Sequence, residues 1–132
     1  MTMTDPIADY LTRIRNAARA QHKKVDIPAS KQKLEITKIL LEESYINGFT
    51  KIDDKKQGII RVYLKYDSNN NCVISNLKRV SKPGLRKYVK KTEIPRVFNN
   101  LGIAILSTPL GIVSNKVAKN KGVGGEVLCY IW

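Results

Sequence analysis

The residues with the clearest capacity for chemistry are the cations of the segment "NLKRVSKPGLRKYVKK". The segment contains no acid, and the aromatic Tyr88 lies among its basic residues. Lysine and arginine neutralise phosphates and release counterions, while an aromatic ring offers a flat surface to a base or a sugar. The segment therefore predicts polyanion binding, with a solvated sheet edge as the alternative, since lysines at an edge deter aggregation. The basic residues are Lys78, Arg79, Lys82, Arg86, Lys87, Lys90 and Lys91.

Short hydroxyl side chains follow in the segment "ILSTPLGIVS". Ser107, Thr108 and Ser114 are expected on tight turns between buried strands, where contact with a ligand costs little conformational entropy. RNA displays 2′-hydroxyls and base edges in a wide, shallow minor groove that short side chains on a rigid turn reach. The pattern favours selective contacts with RNA. Simple capping of the turns by serine and threonine is the alternative.

The glycines of "KGVGGE" do not form a P-loop, because no Lys followed by Ser or Thr comes after them and they do not open a helix. Two interpretations stay open. Either the glycines form a tight bend at which two backbones approach closely, or they shape a loop that faces a ligand.

Catalytic and metal-binding patterns are missing from the sequence. His22 is the single imidazole and lies beside Lys23 and Lys24, as a solvated or anion-facing residue does. Cys72 and Cys129 lie in apolar, strand-like segments, and one histidine does not complete a zinc tetrahedron with them. We therefore expect two buried free thiols in a reducing cytoplasm, with no metal, no cofactor and no small-molecule substrate.

The charge balance indicates the same class of partner. Of 132 residues, 24 are Lys or Arg and 11 are Asp or Glu, which gives a formal net charge of +13. On so small a surface this charge produces a positive potential over most faces and favours a polyanion. The hydrophobic content of 42% is that of a globular protein. Because no apolar stretch reaches about 18 residues and no signal peptide opens the chain, we expect neither a membrane partner nor export.

The segment "TDPIADYLTRIRNAARA" predicts a first helix. Asp5 suits the N-cap, where its carboxylate accepts a backbone hydrogen bond, and Pro6 suits the first helical position, where no donor is needed. The expected apolar stripe comprises Ile7, Leu11, Ile14 and Ala18. A short strand follows in "KKVDIPA" and ends at Pro28.

A second helix and two strands complete the N-terminal module. Ser30 is expected to cap the helix, which should run to about Asn47 with Gly48 at the C′ position. The segment "FTKIDDKKQGIIRVYLKY" predicts two strands around a polar turn, and the second strand alternates apolar and polar residues. Together these elements predict a small open α/β layer.

The remainder of the chain predicts a mainly β module. Strands are expected in "CVISNLKRVS", "LRKYVKK", "GIAILST", "GIVS" and "EVLCYIW", and short helices near "TEIPRVFNNLG" and "NKVAKN". The polar stretch "DSNNN" indicates a boundary. The fold class is therefore α+β, with an N-terminal α/β module over residues 1–67 and a C-terminal, mostly β, RNA-binding module over residues 72–132.

Several of these motifs, taken together and in order, resemble the bacterial small-subunit ribosomal protein eight family. They are "DPIADYLTRIRNA", "PAS", "LKRVSKPGLRKY", "LGIAILST", "GIVSNKVA" and "GVGGEVLCYIW", and they extend over essentially the full length. The resemblance implies two associated modules and no catalysis. It also implies binding to the central domain of small-subunit ribosomal RNA, chiefly at an irregular helix, early in subunit assembly in the cytoplasm.

The resemblance further implies which residues contact RNA. Carried over by motif position, the contact loop contains Ser107, Thr108 and Gly111, with Tyr88 and Glu126 on the same surface. The N-terminal module would contribute Asp5, Thr12, Arg15, Asn16, Ser30 and Lys31. From the basic segment we add Lys82, Arg86, Lys87, Lys90 and Lys91. Neighbouring small-subunit proteins, including protein five, are implied partners.

One position departs from the family pattern. The family loop usually continues Ser-Thr with Ser-Lys-Gly, whereas this chain has Pro109 and Leu110 before Gly111. A hydroxyl contact and a phosphate contact are therefore not expected at these two positions, although proline stiffens the turn.

Three hypotheses follow. A structural RNA-binding protein with a selective loop leads, and a basic protein that binds DNA or acidic protein surfaces through charge alone is the second. An enzyme that acts on nucleic acid is the least favoured, because the sequence has neither a recognisable carboxylate pair nor a metal site.

Overall fold

A computed structural model describes residues 5–97 and 101–132 of the chain. These residues form three helices and eight strands and confirm the α+β class. In chain order the elements are α1 (Pro6–Arg19), β1 (Lys24–Pro28), α2 (Lys31–Glu42), β2 (Ile46–Ile52), β3 (Ile59–Leu64), β4 (Leu77–Arg79), β5 (Tyr88–Val89), β6 (Ile103–Thr108), β7 (Gly111–Ser114), α3 (Asn115–Lys121) and β8 (Gly125–Ile131).

The chain divides into two compact units. The central unit comprises Tyr10–Ser75, and the terminal unit combines the described residues up to Asp9 with Asn76–Trp132. The start of α1 therefore belongs with the C-terminal part of the chain rather than with the helix and strands that follow it.

Helix α1 begins as the sequence predicts. The Asp5 carboxylate accepts a hydrogen bond from the backbone N–H of Ala8 at 3.2 Å, which is the N-cap contact expected before Pro6. The predicted apolar positions Ile7, Leu11 and Ile14 are buried, but the stripe also includes Tyr10 and continues at Ala17 rather than Ala18. The buried residues of α1 are Ile7, Tyr10, Leu11, Ile14 and Ala17.

Helix α2 begins at the predicted cap and ends earlier than expected. The Ser30 hydroxyl accepts a hydrogen bond from the Lys33 N–H at 3.2 Å, which confirms its N-cap role. The helix ends at Glu42, where Ser44 adopts a left-handed conformation with φ of 64°. The predicted end near Asn47 is wrong, because Gly48 lies within β2 and pairs with Tyr63 of β3.

The central unit has a three-stranded antiparallel sheet in the order β1-β3-β2. The predicted alternation in β3 is confirmed, since Ile60, Val62 and Leu64 are buried while Tyr63 is exposed. Helix α1 contacts α2 through a hydrogen bond of 2.7 Å between the Tyr10 and Thr37 hydroxyls, both of which are buried.

The terminal unit has a five-stranded sheet with β8 at its centre. One edge of β8 pairs with β6, whose other edge pairs with β7, while β4 and β5 share the opposite edge of β8. The predicted strands are present but β4 and β5 are shorter than expected. Residues 92–97 and 101–102 are not helical, so a helix there is not found in the described part of the segment, and residues 98–100 lie outside it.

Helix α3 confirms the helix expected near "NKVAKN" and packs on one face of this sheet. Its N-cap is Ser114, whose hydroxyl accepts a hydrogen bond from the Val117 N–H at 3.3 Å. The buried cluster on this face comprises Val97, Ala104, Leu106, Ala118 and Val127. The opposite face of the sheet is the one that carries the candidate site.

The two cysteines are free thiols, as expected, but only Cys129 is fully buried. Burial raises the pKa of Cys129 to about 12. Cys72 is half-buried rather than buried, because it forms only an isolated β-bridge with Tyr66 at the end of the central unit. Burial raises the pKa of Cys72 as well.

Candidate nucleic-acid interface

Three of the predicted RNA-contacting residues form one row across the terminal sheet. Glu126 of β8 is directly opposite Tyr88 of β5 on one side and Ser107 of β6 on the other. Directly opposed residues in antiparallel strands point to the same face. An aromatic ring, a carboxylate and a hydroxyl, separated by up to 38 residues in sequence, therefore lie side by side on one face. We call Tyr88, Glu126 and Ser107 the interface row.

Gly125, the first residue of β8, and Gly124, which precedes the strand, let the flanking segments come this close. A Cβ atom on Gly125 would lie 2.1 Å from the Ser107 carbonyl oxygen, and one on Gly124 would lie 2.3 Å from the Val89 carbonyl oxygen. Real side chains do not approach backbone atoms at such distances. The interpretation of "KGVGGE" as a bend at which two backbones approach closely is therefore confirmed. That the same glycines shape a loop facing a ligand stays a prediction.

The turn between β6 and β7 is closed by the Thr108 hydroxyl. This hydroxyl donates to the Gly111 carbonyl at 2.8 Å and accepts from the Leu110 N–H at 3.1 Å. Gly111 has φ of 105°, a conformation that side-chain-bearing residues rarely adopt. The single hydroxyl proton of Thr108 is thus used inside the turn, so turn capping accounts for this residue.

Ser107 differs from Thr108. It is half-buried beside Glu126, and its hydroxyl has no hydrogen-bond partner in the part of the chain that the structure describes. A serine hydroxyl has one proton to donate and two lone pairs to accept with. Of the two predicted contact hydroxyls, Ser107 is the one with both capacities open to a ligand. The third hydroxyl, that of Ser114, is buried and caps α3, so the expected contact role for it is wrong.

The basic segment forms a loop between β4 and β5 that returns to the same edge of β8. Backbone hydrogen bonds of 3.0 and 2.9 Å between Lys82 and Leu85 close its tip. All five cations predicted to contact RNA are exposed, and Tyr88 is 69% exposed. An aromatic ring with this exposure, flanked by cations, can stack on a base or sugar. The five cations are Lys82, Arg86, Lys87, Lys90 and Lys91.

Glu126 holds one of these cations in place. Its Oε2 atom accepts a hydrogen bond from Nη1 of Arg86 at 2.9 Å and another from the Ser81 hydroxyl. Partial burial disfavours the ionised form of Glu126, but the Ser81 and Arg86 hydrogen bonds outweigh it and lower the pKa of this carboxyl. The ion pair with Glu126 raises the pKa of Arg86. The interface row therefore contains an ionised carboxylate paired with a cation.

Two predicted residues have structural partners inside the terminal unit. Nε and Nη2 of Arg79 donate to the two carboxylate oxygens of Asp5 at 2.9 and 3.2 Å, and Nη1 donates to the Leu128 carbonyl at 2.6 Å. Their side chains are 10% and 18% exposed. The expectation that Arg79 neutralises phosphates is wrong, because its guanidinium already binds the Asp5 carboxylate and the Leu128 carbonyl. Asp5 has the same ion pair besides its N-cap contact.

The other N-terminal residues lie on the central unit. Thr12 and Asn16 are exposed on α1, and Arg15 is half-buried between them. Ser30 and Lys31 are exposed at the start of α2, beside a shallow concavity. The residues that line this concavity are Ala29, Ser30, Lys31, Leu34, Lys51, Gln57 and Ile60. Two lysines next to the positive end of a helix produce a local field that attracts anions.

Sequence analysis missed Ser81. This residue is 0% exposed, and its hydroxyl contacts Glu126 and the backbone N–H of Lys87. The only local signal is a serine between cations just before the Pro-Gly turn, and that pattern does not indicate a partner 45 residues away in the chain.

The described residues contain neither a cluster of metal-ligating side chains nor a helix suited to a bilayer. Within residues 5–97 and 101–132, no group of three or more His, Cys, Asp or Glu side chains could hold a metal ion. None of the helices in those ranges is long and apolar enough to cross a membrane.

The fold and the site together define a small, strongly basic α+β protein with one polar row on a sheet face, next to a segment of exposed cations at one edge of that sheet. Residues 5–132 match the family described as Ribosomal protein S8. The sequence is 62% identical to small ribosomal subunit protein uS8 of Natranaerobius thermophilus and 63% identical to that of Alkaliphilus oremlandii, in both cases over 132 residues and the full length of each chain. Identity to the uS8 protein of Geobacillus kaustophilus is 60% over the same length.

The chain therefore belongs to the ribosomal protein S8 family, which confirms the resemblance found in its motifs. Members of this family are structural ribosomal proteins and not enzymes. Which of the residues above contact RNA stays a prediction.

Proposed function

We propose that this protein is a structural constituent of the small ribosomal subunit that binds the central domain of the subunit's ribosomal RNA at an irregular helix and supports subunit assembly. The interface row is the observation that carries the proposal. Ser107 offers a donor and acceptor, Glu126 an ionised acceptor and Tyr88 an exposed ring, all on one face. Such a constellation suits an RNA site whose bases are displaced from regular stacking.

Selectivity and affinity have separate sources in this proposal. The loop cations neutralise phosphates of any nucleic acid, which gives affinity that depends on salt but not on sequence. The hydroxyl and carboxylate of the interface row are held by backbone pairing, so they lose little entropy on contact and discriminate between shapes. The central unit adds a second contact with the RNA through α1 and the start of α2. The lysines near Ser30 support this contact, because they attract phosphates.

The experiment compares two RNA ligands. One is the irregular helix from the central domain of small-subunit ribosomal RNA, and the other is an uninterrupted duplex of equal length. If four to seven phosphates are neutralised, the logarithm of affinity should fall against the logarithm of salt with a slope of about −3 to −6. At physiological salt the irregular helix should bind at least about tenfold more tightly than the duplex.

Two variants separate the two sources of binding. Ser107→Ala should weaken binding to the irregular helix by about 1–2 kcal/mol and reduce discrimination against the duplex. Lys90→Ala should weaken binding to both RNAs equally and reduce the salt slope by about 1. Equal losses on both RNAs for both variants would remove the case for selective recognition by this loop.

Charge-only binding is the outcome that would replace the proposal. A protein that binds through charge alone is displaced as well by heparin or duplex DNA as by the unlabelled irregular helix. Selective displacement by the irregular helix supports ribosomal RNA as the ligand. The proposal also includes association with small subunits in the cytoplasm, next to other small-subunit proteins such as protein five. Crosslinking within native particles tests these contacts.

A further inference from the structure

We propose that Ser81, a fully buried residue outside the interface row, is a positioning residue for RNA recognition that orients the Glu126 carboxylate and, through it, Arg86. The inference rests on the proposed function, because it concerns how the same surface discriminates between RNAs. Ser81 has no exposed surface, so it acts on a ligand only through its neighbours.

The hydroxyl of Ser81 bonds to two functional segments. Its single proton is donated to Oε2 of Glu126, and its oxygen accepts the backbone N–H of Lys87 at 3.2 Å. The backbone N–H of Ser81 in turn donates to the Val127 carbonyl at 3.0 Å, which ties the residue to β8 next to Glu126. Ser81 therefore connects the centre of the interface row with the end of the basic loop.

The base of the basic loop is closed by these contacts. Ser81 precedes the loop tip at Lys82 to Leu85 and Lys87 follows it, and the Lys87 carbonyl accepts the Val127 N–H at 2.9 Å. Without the Ser81 hydroxyl, the Lys87 N–H loses its partner at the point where the loop rejoins the sheet. The directions of Arg86 and Tyr88, on either side of Lys87, depend on that closure.

Ser81 and Arg86 bind the same carboxylate oxygen. With Oε2 held by both groups, the orientation of the carboxylate is fixed between Tyr88 and Ser107. The groups that face Glu126 are Ser81, Arg86 of the basic loop, Arg79 of β4, Tyr88 of β5 and Ser107 of β6. Ser81 is the neutral donor in this set that has no contact with solvent, so RNA cannot displace it.

The test uses Ser81→Ala, which removes the hydroxyl and adds no bulk. Binding to the irregular helix should weaken about fivefold to thirtyfold, while binding to the plain duplex should change less than about twofold. Thr37→Val is the matched control, because it removes a buried hydroxyl that donates to a backbone carbonyl in the central unit. It should lower stability without changing the ratio of the two affinities.

A double-mutant cycle with Glu126→Gln distinguishes positioning from general destabilisation. If Ser81 acts through the carboxylate, the losses from the two single variants should not add in the double variant. Additive losses, or equal losses on both RNAs in Ser81→Ala, would overturn the inference.

A measurement without RNA separates this inference from the proposed function. Removing the Ser81 donor should raise the pKa of the Glu126 carboxyl, which a carbon-13 chemical-shift titration follows directly. On acidification, binding to the irregular helix should be lost as Glu126 becomes protonated. In Ser81→Ala this loss should occur at a higher pH than in the wild type. If the Glu126 titration is the same in Ser81→Ala and in the wild type, the positioning role is overturned. If the wild type shows no preference for the irregular helix, the proposed function is overturned, but the titration result remains valid.

Discussion

Arg79 binds both carboxylate oxygens of Asp5, a residue 74 positions earlier in the chain, through Nε at 2.9 Å and Nη2 at 3.2 Å. The same carboxylate caps α1 through the Ala8 N–H. One acidic side chain thus joins the first helical turn to β4 within the terminal unit. Burial alone would disfavour its ionised form, but the Arg79 hydrogen bonds and charge, together with the backbone N–H groups of Ala8 and Ile7, outweigh that effect and lower the pKa of Asp5.

Asp5→Asn should destabilise the protein by about 3 kcal/mol, because it leaves the largely buried Arg79 guanidinium without a counter-charge. The matched control is Asp26→Asn, since Arg61 binds Asp26 with similar distances of 2.8 and 3.1 Å but with side chains that are 32% and 45% exposed. Thermal unfolding should show a shift for the control of less than a third of that for Asp5→Asn. Equal shifts would mean that burial of the Asp5 pair contributes nothing.

The Asp5 pair also predicts an acid dependence of stability. Because the pKa of Asp5 is lower in the folded state, its contribution is complete above the unfolded-state pKa, near 3.8, and is lost as the pH falls through the lower folded-state pKa. In Asp5→Asn this part of the acid destabilisation should be missing. Chemical denaturation between pH 7 and pH 2 measures the difference, and parallel curves for the two proteins would contradict the prediction.

Gly125→Ala should destabilise the terminal unit by several kcal/mol or prevent its folding, because the new methyl group would collide with the Ser107 carbonyl. A matched control is Gly84→Ala in the same unit, where no atom lies within 4 Å of the added Cβ and φ is not positive. Urea unfolding should place the control near the wild type. A Gly125→Ala protein with wild-type stability would show that β6 and β8 separate easily.

The two thiols should differ in reactivity. Cys129 is fully buried with a pKa of about 12, so at pH 8 almost none of it is thiolate, whereas Cys72 is half-buried. In the Cys72→Ser variant, alkylation of the remaining thiol should occur only at the rate of unfolding and accelerate with denaturant. Rapid labelling of native Cys72→Ser protein would disprove the burial of Cys129.

Thr108→Val should loosen the turn between β6 and β7, because the hydroxyl that accepts the Leu110 N–H and donates to Gly111 is replaced by a methyl group. Amide exchange at Leu110 should accelerate about fivefold, which corresponds to about 1 kcal/mol for a lost hydrogen bond. Thr108→Ser retains the hydroxyl and should preserve the wild-type exchange rate. If both variants exchange alike, the hydroxyl does not close the turn.

Local features were the ones that sequence analysis predicted well. The Asp-Pro start of α1 and the Ser30 cap of α2 depend on contacts three residues apart, and both are confirmed. The end of α2 was misplaced because Gly48 follows the helical pattern at a typical C′ distance. The backbone instead turns at Ser44, a serine that takes the left-handed conformation usually given to glycine.

Features that depend on strand register could not be predicted. The interface row requires β8 to pair with β5 and β6 in the observed registers, including an irregularity between Ile105 and Leu106. The family resemblance indicated Tyr88, Glu126 and Ser107 as one surface, but nothing in the sequence alone joins them. Likewise, only the fold shows that Arg79 binds Asp5 while Arg86, seven residues later, binds Glu126.

The outer strands of the terminal sheet are short, which limits pairing between the sheet edges of two molecules. One border of the sheet is β7, with four residues, and the other is divided between β4 and β5, with three and two residues separated by the basic loop. Borders this short give another molecule few unpaired backbone groups for intermolecular strand exchange. Together with mutual repulsion between copies that each carry +13, these short borders disfavour edge-to-edge pairing of two copies through the terminal sheet while the protein is newly made.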